Sequence, residues 1–324
     1  MTTICKKRGA PRQSLADRIG RRRLRESGEL YLIMLPVLVM IFIFFYMPMF
    51  GVVIAFQDYV PGDPFFAFDG STKWVGLQHF KTFFSSIYFP RLLKNTLTLS
   101  LMNLAFGFWV PIAFALLLNE VTHLRYKKLV QTASYMPYFI SMVLVGLFSY
   151  ALFNVDNGLI NTVLRSLGLQ DYNFYLNANA WPPIIIAFQV WKGLGYGSII
   201  YLSVISGIET DYYEAARIDG ATKWQQIRYL TLPMLKPTFM LLFMFNLGSI
   251  LKGQFQLFYQ LIGDNGLLYS TTDIIDTYVY RALTVNFDIG MGSAAGVFQS
   301  VFGFVLVITV NAIVRKLNKE YALF

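Results

Sequence analysis

Six long apolar segments punctuate the chain, at roughly Leu30–Phe56, Leu92–Leu118, Tyr135–Phe153, Pro183–Ser203, Thr238–Leu261 and Met291–Val314. Each supplies about the 20 helical residues needed to cross a hydrocarbon core about 30 Å thick. The pattern predicts an all-α membrane protein with six transmembrane helices. One polar island, Glu209–Pro237, interrupts it between the fourth and fifth segments. Asp211 and Glu214 have the spacing of a capping box, and Thr222 and Gln225 repeat it. Gly220 lies between them, where positive φ carries no Cβ clash. Two short helices joined at a glycine corner are therefore expected, with Pro233 ending the second by disfavouring helical geometry at Leu232.

Composition supports the membrane reading. The chain of 324 residues is 56% hydrophobic and 14% charged, with mean hydropathy +0.50, which excludes an ordinary soluble domain. A net charge of +9 would suit nucleic acid, but nine of the 27 Lys and Arg lie at or before Arg25 and most others flank apolar segments. That distribution is a topology signal, and no nucleic-acid partner is expected. The first apolar segment is too long for a signal-peptide core and lacks a small-residue cleavage site, so an uncleaved span is expected. With residues 1–29 placed in the cytoplasm, the inside segments hold 19 Lys and Arg and the outside segments six, with Lys192 and Lys252 inside spans. Six spans with both termini inside follow, which makes 1–29 a basic cytoplasmic segment, 30–314 the transmembrane domain, 209–237 a cytoplasmic loop and 315–324 a cytoplasmic tail. The outside segments carry turn formers (Pro61-Gly62, Asp63-Pro64, Asp69-Gly70) and rings such as Trp74. These rings suit an interfacial belt, with the remainder forming a surface for an external partner. The lone Cys5 excludes an intrachain disulfide.

No GxxxxGK[ST], HExxH, CxxC or GxSxG pattern occurs, and His79 and His123 fall on opposite sides of the membrane. Catalysis, a metal site and ATP binding through a phosphate loop are therefore not expected in this chain. The polar residues inside the spans are more informative. On an ideal wheel Gln189, Lys192, Tyr196 and Ser203 share one side of the fourth span within about 60°. In the fifth, Asn246, Ser249, Lys252, Gly253, Gln256 and Gln260 fall within about 120°. A lysine at mid-bilayer costs about 2.5–3.5 kcal/mol, so such residues should face a water-filled path or an acidic partner. No Asp or Glu lies inside the six segments, so an intrachain partner is not expected. A candidate pathway thus comprises Gln189, Lys192, Tyr196, Asn246, Ser249, Lys252 and Gln256. Gly193, Gly195 and Gly197 are expected to unwind the fourth span locally, and Gly292 and Gly296 to form a packing face.

The polar island resembles the EAA loop of binding-protein-dependent ABC importer permeases. The residues that carry the likeness are Glu214-Ala215-Ala216, then Asp219-Gly220-Ala221, then Leu232-Pro233 followed by Pro237. Trp74-Val75-Gly76-Leu77 with Phe80, Asn95-Thr96, Tyr135-Met136-Pro137 and Gly158-Leu159-Ile160-Asn161 are similar to the sugar and polysaccharide branch, and chain length with the two intramembrane lysines resembles the larger permease subunit of an alginate importer. The resemblance implies a type I importer permease fold in the cell (inner) membrane. It also implies a coupling helix, Tyr212–Asp219, seated on an ATPase subunit, with Glu214, Ala215, Ala216, Asp219, Gly220, Leu232 and Pro233 as coupling residues. The implied partners are a second permease, ATPase subunits that bind ATP and magnesium, an extracytoplasmic solute-binding protein, membrane lipid and an oligosaccharide. The two lysines suggest an anionic oligouronate such as alginate, and a neutral oligosaccharide is the alternative. An ion-coupled secondary transporter would require acidic residues within the spans, and a membrane scaffold would not require the polar stripes.

Overall fold

The computed structural model describes residues 28, 30–62, 73–317, 319 and 322. Cys5, Arg21–Arg23, the turns at Asp63-Pro64 and Asp69-Gly70 and most of the tail beyond Leu317 lie outside the described residues. Among those described the protein is helical, with one isolated antiparallel bridge between Gln57 and Trp74.

Helix α1 (Leu30–Phe56) contains a π turn at Phe42–Tyr46 and ends in a 3-10 stretch from Phe50. Its most apolar stretch has no buried residue, so its sides suit hydrocarbon rather than the bundle. Its end is seated instead: Ala55 is buried and His79 Nε2 lies 3.0 Å from the Gln57 carbonyl oxygen. After α2 (Gln78–Ser85) come α3 (Phe89–Asn119), α4 (Leu124–Phe139), α5 (Met142–Phe153), α6 (Leu159–Ser166) and α7 (Trp181–Ser206). Then follow α8 (Thr210–Ile218), α9 (Lys223–Gly248), α10 (Phe255–Ile262), α11 (Ile275–Thr284) and α12 (Ile289–Leu317).

Helices α1, α3, α7, α9 and α12 are long and apolar enough to span a membrane. The third apolar segment departs from expectation. Helices α4 and α5 meet at a 99° bend, because Ile140 and Ser141 are extended and the Ser141 hydroxyl caps α5 by accepting from the Leu144 N–H. The fourth span is also unlike the expectation. Helix α7 runs unbroken through Gly193, Gly195 and Gly197. Gly195 serves close approach, since a Cβ there would sit 2.2 Å from the Ser134 carbonyl oxygen of α4.

The fifth span differs at both ends. Pro233 does not stop a helix, because residues Ile227–Thr231 form a π turn and the helix continues to Gly248. The wider turn accommodates a ring and a missing N–H that an α-helix interior would not. The helix then breaks, and Ser249–Gln254 separate it from α10. The single stripe expected from Asn246 to Gln260 is therefore divided between two helices and a connecting segment.

Three apolar clusters hold the bundle. Phe108, Ile112 and Ala115 of α3 meet Tyr201, Leu202 and Ile205 of α7 toward the Gly220 end. At the far end Trp181, Ile185 and Phe188 pack with Leu257, Phe258 and Leu261 of α10. Phe83, Leu92, Met244, Leu247, Met291 and Ala295 join α2, α3, α9 and α12. Gly303 lets α12 approach α9 closely, since a Cβ there would lie 2.2 Å from the Gly248 carbonyl oxygen. Of the expected small-residue pair, Gly292 packs on Leu283 and Gly296 faces open space.

A polar knot ties the far end. Buried Asp273 accepts from Arg91 at 3.1 Å and from Arg281 at 2.6 Å. The Asn95 amide donates to the Tyr269, Ser270 and Asp273 carbonyls, and Thr96 Oγ1 accepts from the Ile275 N–H.

Candidate coupling elbow and polar groove

The elbow is built from local signals. Gly220 adopts φ +79°, the left-handed conformation expected of the corner. Thr222 and Gln225 form the expected capping box at the start of α9. The Asp211–Glu214 box does not form. Helix α8 starts two residues earlier than that motif requires, with Glu209 at the cap position and no side-chain cap bond. Asp211 lies within the first turn, where its charge favours the helix dipole.

Glu214, Ala215, Asp219 and Gly220 are exposed, and Ala216 is half-buried. Leu232 is half-buried and Pro233 exposed, just beyond the π turn. Two side-chain contacts fasten the elbow to the bundle. The Tyr213 and Thr231 hydroxyls are 2.9 Å apart, and Lys223 pairs with Glu120 at 2.9 Å. Beneath α8 lies a cavity of about 370 Å³ lined by Glu120, Tyr213, Glu214, Arg217, Lys223 and Thr231, among others. On the outside Tyr212, Ile218, Trp224 and Tyr229 present exposed apolar surface, Ile218 at 87%. Such a group of large apolar side chains on a protruding corner suits a protein partner.

A second feature lies within the bundle. A cavity of about 370 Å³ between α3, α7 and α9 has Asn103, Gln189, Tyr196, Asn246 and Gln254 set among apolar side chains such as Leu104, Phe108 and Leu242, with Gly107, Gly193 and Gly197 opening its walls. It adjoins a smaller recess lined by Ser100, Asn103, Gln189, Lys252, Gly253 and Gln254. The two share Asn103, Gln189 and Gln254, so they form one polar groove. Gln189 Oε1 is buried with no hydrogen-bond partner, an acceptor left available on the groove wall. Tyr196 is 52% exposed and stacks on Tyr138 with centroids 4.6 Å apart. Asn246 donates to the Leu242 carbonyl of its own helix at 2.8 Å.

Of the residues expected to line a path, Gln189, Tyr196, Asn246 and Lys252 meet at this groove. Ser249 and Gln256 are exposed beside the break in the fifth span. Lys192 points elsewhere. Its ammonium donates to the Pro137 and Tyr138 carbonyls at 3.1 and 3.0 Å and also to that of Ile140, capping the end of α4 at the bend.

The sequence reading did not single out Ser100, Asn103 or Gln254. Polar residues three apart, continuing inward from Asn95, Thr96 and Thr98 on the second span, were the available signal for the first two. Among the described residues Lys252 forms no ion pair with an acidic side chain, as expected from the spans. Helix α11, outside the apolar segments, brings Asp276 against the break, where it accepts from the Gly253 N–H at 2.6 Å. Burial pushes the Asp276 carboxyl above the ordinary range, and the Gly253 N–H, Gln299 and Lys252 oppose that rise.

Residues 107–319 match the family described as binding-protein-dependent transport system inner membrane component. Protein LplB of Bacillus subtilis (strain 168) is 37% identical over 321 residues, covering 99% of each chain. The polygalacturonan/rhamnogalacturonan transport system permease protein YteP of the same organism is 40% identical over 298 residues, covering 92% of this chain and 91% of its own. Among solved structures, a chain of a bacterial ABC transporter involved in the import of the acidic polysaccharide alginate superposes with TM-score 0.82 at 37% identity, covering 92% of this chain and 98% of that one. With the family matched over most of the chain and relatives aligned along nearly all of it, this protein belongs to the binding-protein-dependent transport system inner membrane components, as a multi-pass ABC permease.

Proposed function

We propose that this chain is one of two facing permease subunits in an ATP-driven, binding-protein-dependent importer of acidic oligo- or polysaccharide. One observation carries the reading. A single helix, α9, runs from the Gly220 corner through the π turn to the break at Ser249, where the polar groove begins. A displacement applied at the elbow therefore has a continuous backbone route to the groove. The cytoplasmic side is assigned to the elbow by the Lys and Arg distribution. There the exposed faces of α8 and the start of α9 would seat on a separate ATPase subunit, which binds ATP and magnesium and performs the hydrolysis.

The groove would form half of the path, completed by the second permease. A solute-binding protein would deliver cargo at the far end. Cargo and nucleotide would act by binding outward-open and inward-open states with different affinities. Asn103, Gln189, Asn246 and Gln254 are the donors and acceptors suited to sugar hydroxyls, and Tyr196 offers a ring face.

Lys252 supports an anionic cargo, since it brings a positive charge to the groove among otherwise neutral lining residues. The relatives' substrates support the same class: alginate is described as acidic, and polygalacturonan is a polyuronide. The test is uptake by the complex reconstituted with its partner permease, ATPase and binding protein. Polyuronide-dependent ATP hydrolysis exceeding that with a neutral oligosaccharide is expected. Transport by this chain alone without nucleotide would overturn the reading.

A further inference from the structure

A break in a membrane helix leaves backbone donors and acceptors without helical partners, and lipid cannot satisfy them. Within Ser249–Gln254 some are satisfied locally: the Lys252 N–H donates to the Ser249 carbonyl at 2.8 Å. Two others are met from different helices. Gln299 of α12 donates to the Leu251 carbonyl at 2.6 Å, and Asp276 of α11 accepts from the Gly253 N–H at 2.6 Å. Gln299 Nε2 also lies 3.3 Å from the same Asp276 oxygen, so the two side chains form one bracket. Gly253 permits it, because a Cβ there would lie 2.4 Å from Ile274 Cδ1 and 3.1 Å from Asp276 Oδ2.

The bracket grips Leu251 and Gly253, the two neighbours of Lys252. Asp276 does not itself line the groove, whereas Lys252, Gly253 and Gln254 do. Resting on the reading of the groove as the cargo path, we propose that Asp276, with Gln299, is a positioning residue for cargo selectivity: it fixes the broken segment so that Lys252 stands in the groove. The carboxylate has two effects. Its hydrogen bond sets the course of the backbone on either side of Gly253, and its link to Gln299 holds the Leu251 carbonyl on the other side of the lysine.

The test uses the full complex in proteoliposomes, with tetragalacturonate and its neutral methyl ester as paired cargoes at matched occupancy of the binding protein. Lys252→Gln should lower the acid-to-ester uptake ratio about tenfold. Asp276→Asn should lower it to a similar degree while ester uptake stays within about twofold. The double variant should be no worse than Lys252→Gln, because Asp276 acts through that lysine. Gln299→Met keeps length and apolar bulk but removes the donor, and should reproduce the loss where the Asp276 variant fails to assemble. An unchanged ratio in Asp276→Asn and Gln299→Met, with Lys252→Gln impaired, overturns this proposal and leaves the groove reading intact. Additive losses in the double variant overturn it also, as does equal loss of acid and ester uptake. An unchanged ratio in Lys252→Gln overturns the acidic-cargo reading itself, and this proposal with it.

Discussion

The Lys192 ammonium on α7 donates to the carbonyl of Pro137 on α4 at 3.1 Å, across 55 positions of sequence. It sits where α4 has just ended and its last carbonyls lack helical donors. A cation at a helix C-terminus also complements the dipole. The charge therefore works as a tertiary cap, and the 99° bend between α4 and α5 is held from a neighbouring helix.

Removing that cap should be felt in stability. Hydrogen bonds to a charged group contribute about 1.5–3 kcal/mol, so Lys192→Met is expected to lower the thermal midpoint of the purified complex by several degrees. The acid-to-ester uptake ratio should remain near wild type, in contrast with Lys252→Gln. A selective loss of acidic cargo in Lys192→Met would show that this lysine meets the substrate.

Gly220 makes a different prediction. At φ +79° a β-branched residue is strained by roughly 1–2 kcal/mol or more, and nothing nearby would otherwise obstruct a side chain. Gly220→Val should therefore assemble but misdirect the corner between α8 and α9. ATP hydrolysis stimulated by loaded binding protein is expected to fall at least fivefold while basal hydrolysis persists. Wild-type stimulation would show that the corner's geometry is dispensable.

At Gly195 the obstacle is space rather than conformation. A Cβ there would lie 2.2 Å from the Ser134 backbone oxygen, which no rotamer can relieve. Overpacking of this kind costs about 1–3 kcal/mol. Gly195→Leu should reduce recovery of monodisperse complex on size exclusion, whereas Gly193→Ala, with open space at its Cβ, should not.

The strongest stability effect is expected at the far end. Asp273 is 1% exposed and paired with Arg91 and Arg281. Deleting one member of a buried ion cluster strands the others, at about 3 kcal/mol or more. Asp273→Ala should lower the midpoint of thermal unfolding more than Asp171→Ala, whose partner Arg165 is solvent-exposed.

Features set by neighbours in sequence were legible in advance. The apolar runs announced the spans, Gly220 the corner and Thr222 with Gln225 the cap, because each depends on residues within one or two turns. The Asp211 box failed by a register of two residues, since the end of α7 at Ser206 fixes where α8 can begin. The remaining departures share another cause. The bend after Phe139 draws on Lys192, and the break after Gly248 draws on Asp276 and Gln299. No local pattern contains those partners. Their residue types were visible as polar positions at odds with apolar surroundings or as charges just outside them. What each would hold depended on the packing of α7, α11 and α12.

The break at Ser249–Gln254 also constrains how the protein is made. Helices α11 and α12 follow it in the chain, so when the fifth segment first enters the bilayer neither Asp276 nor Gln299 is yet available. Its interior N–H and C=O groups would then be exposed to lipid, a state that membranes disfavour. The segment would first insert as a longer unbroken helix, or wait beside the inserted machinery, and acquire its break after the sixth span arrives. The final form of the groove would then be a late event in biogenesis, and a chain truncated before α11 would lack it.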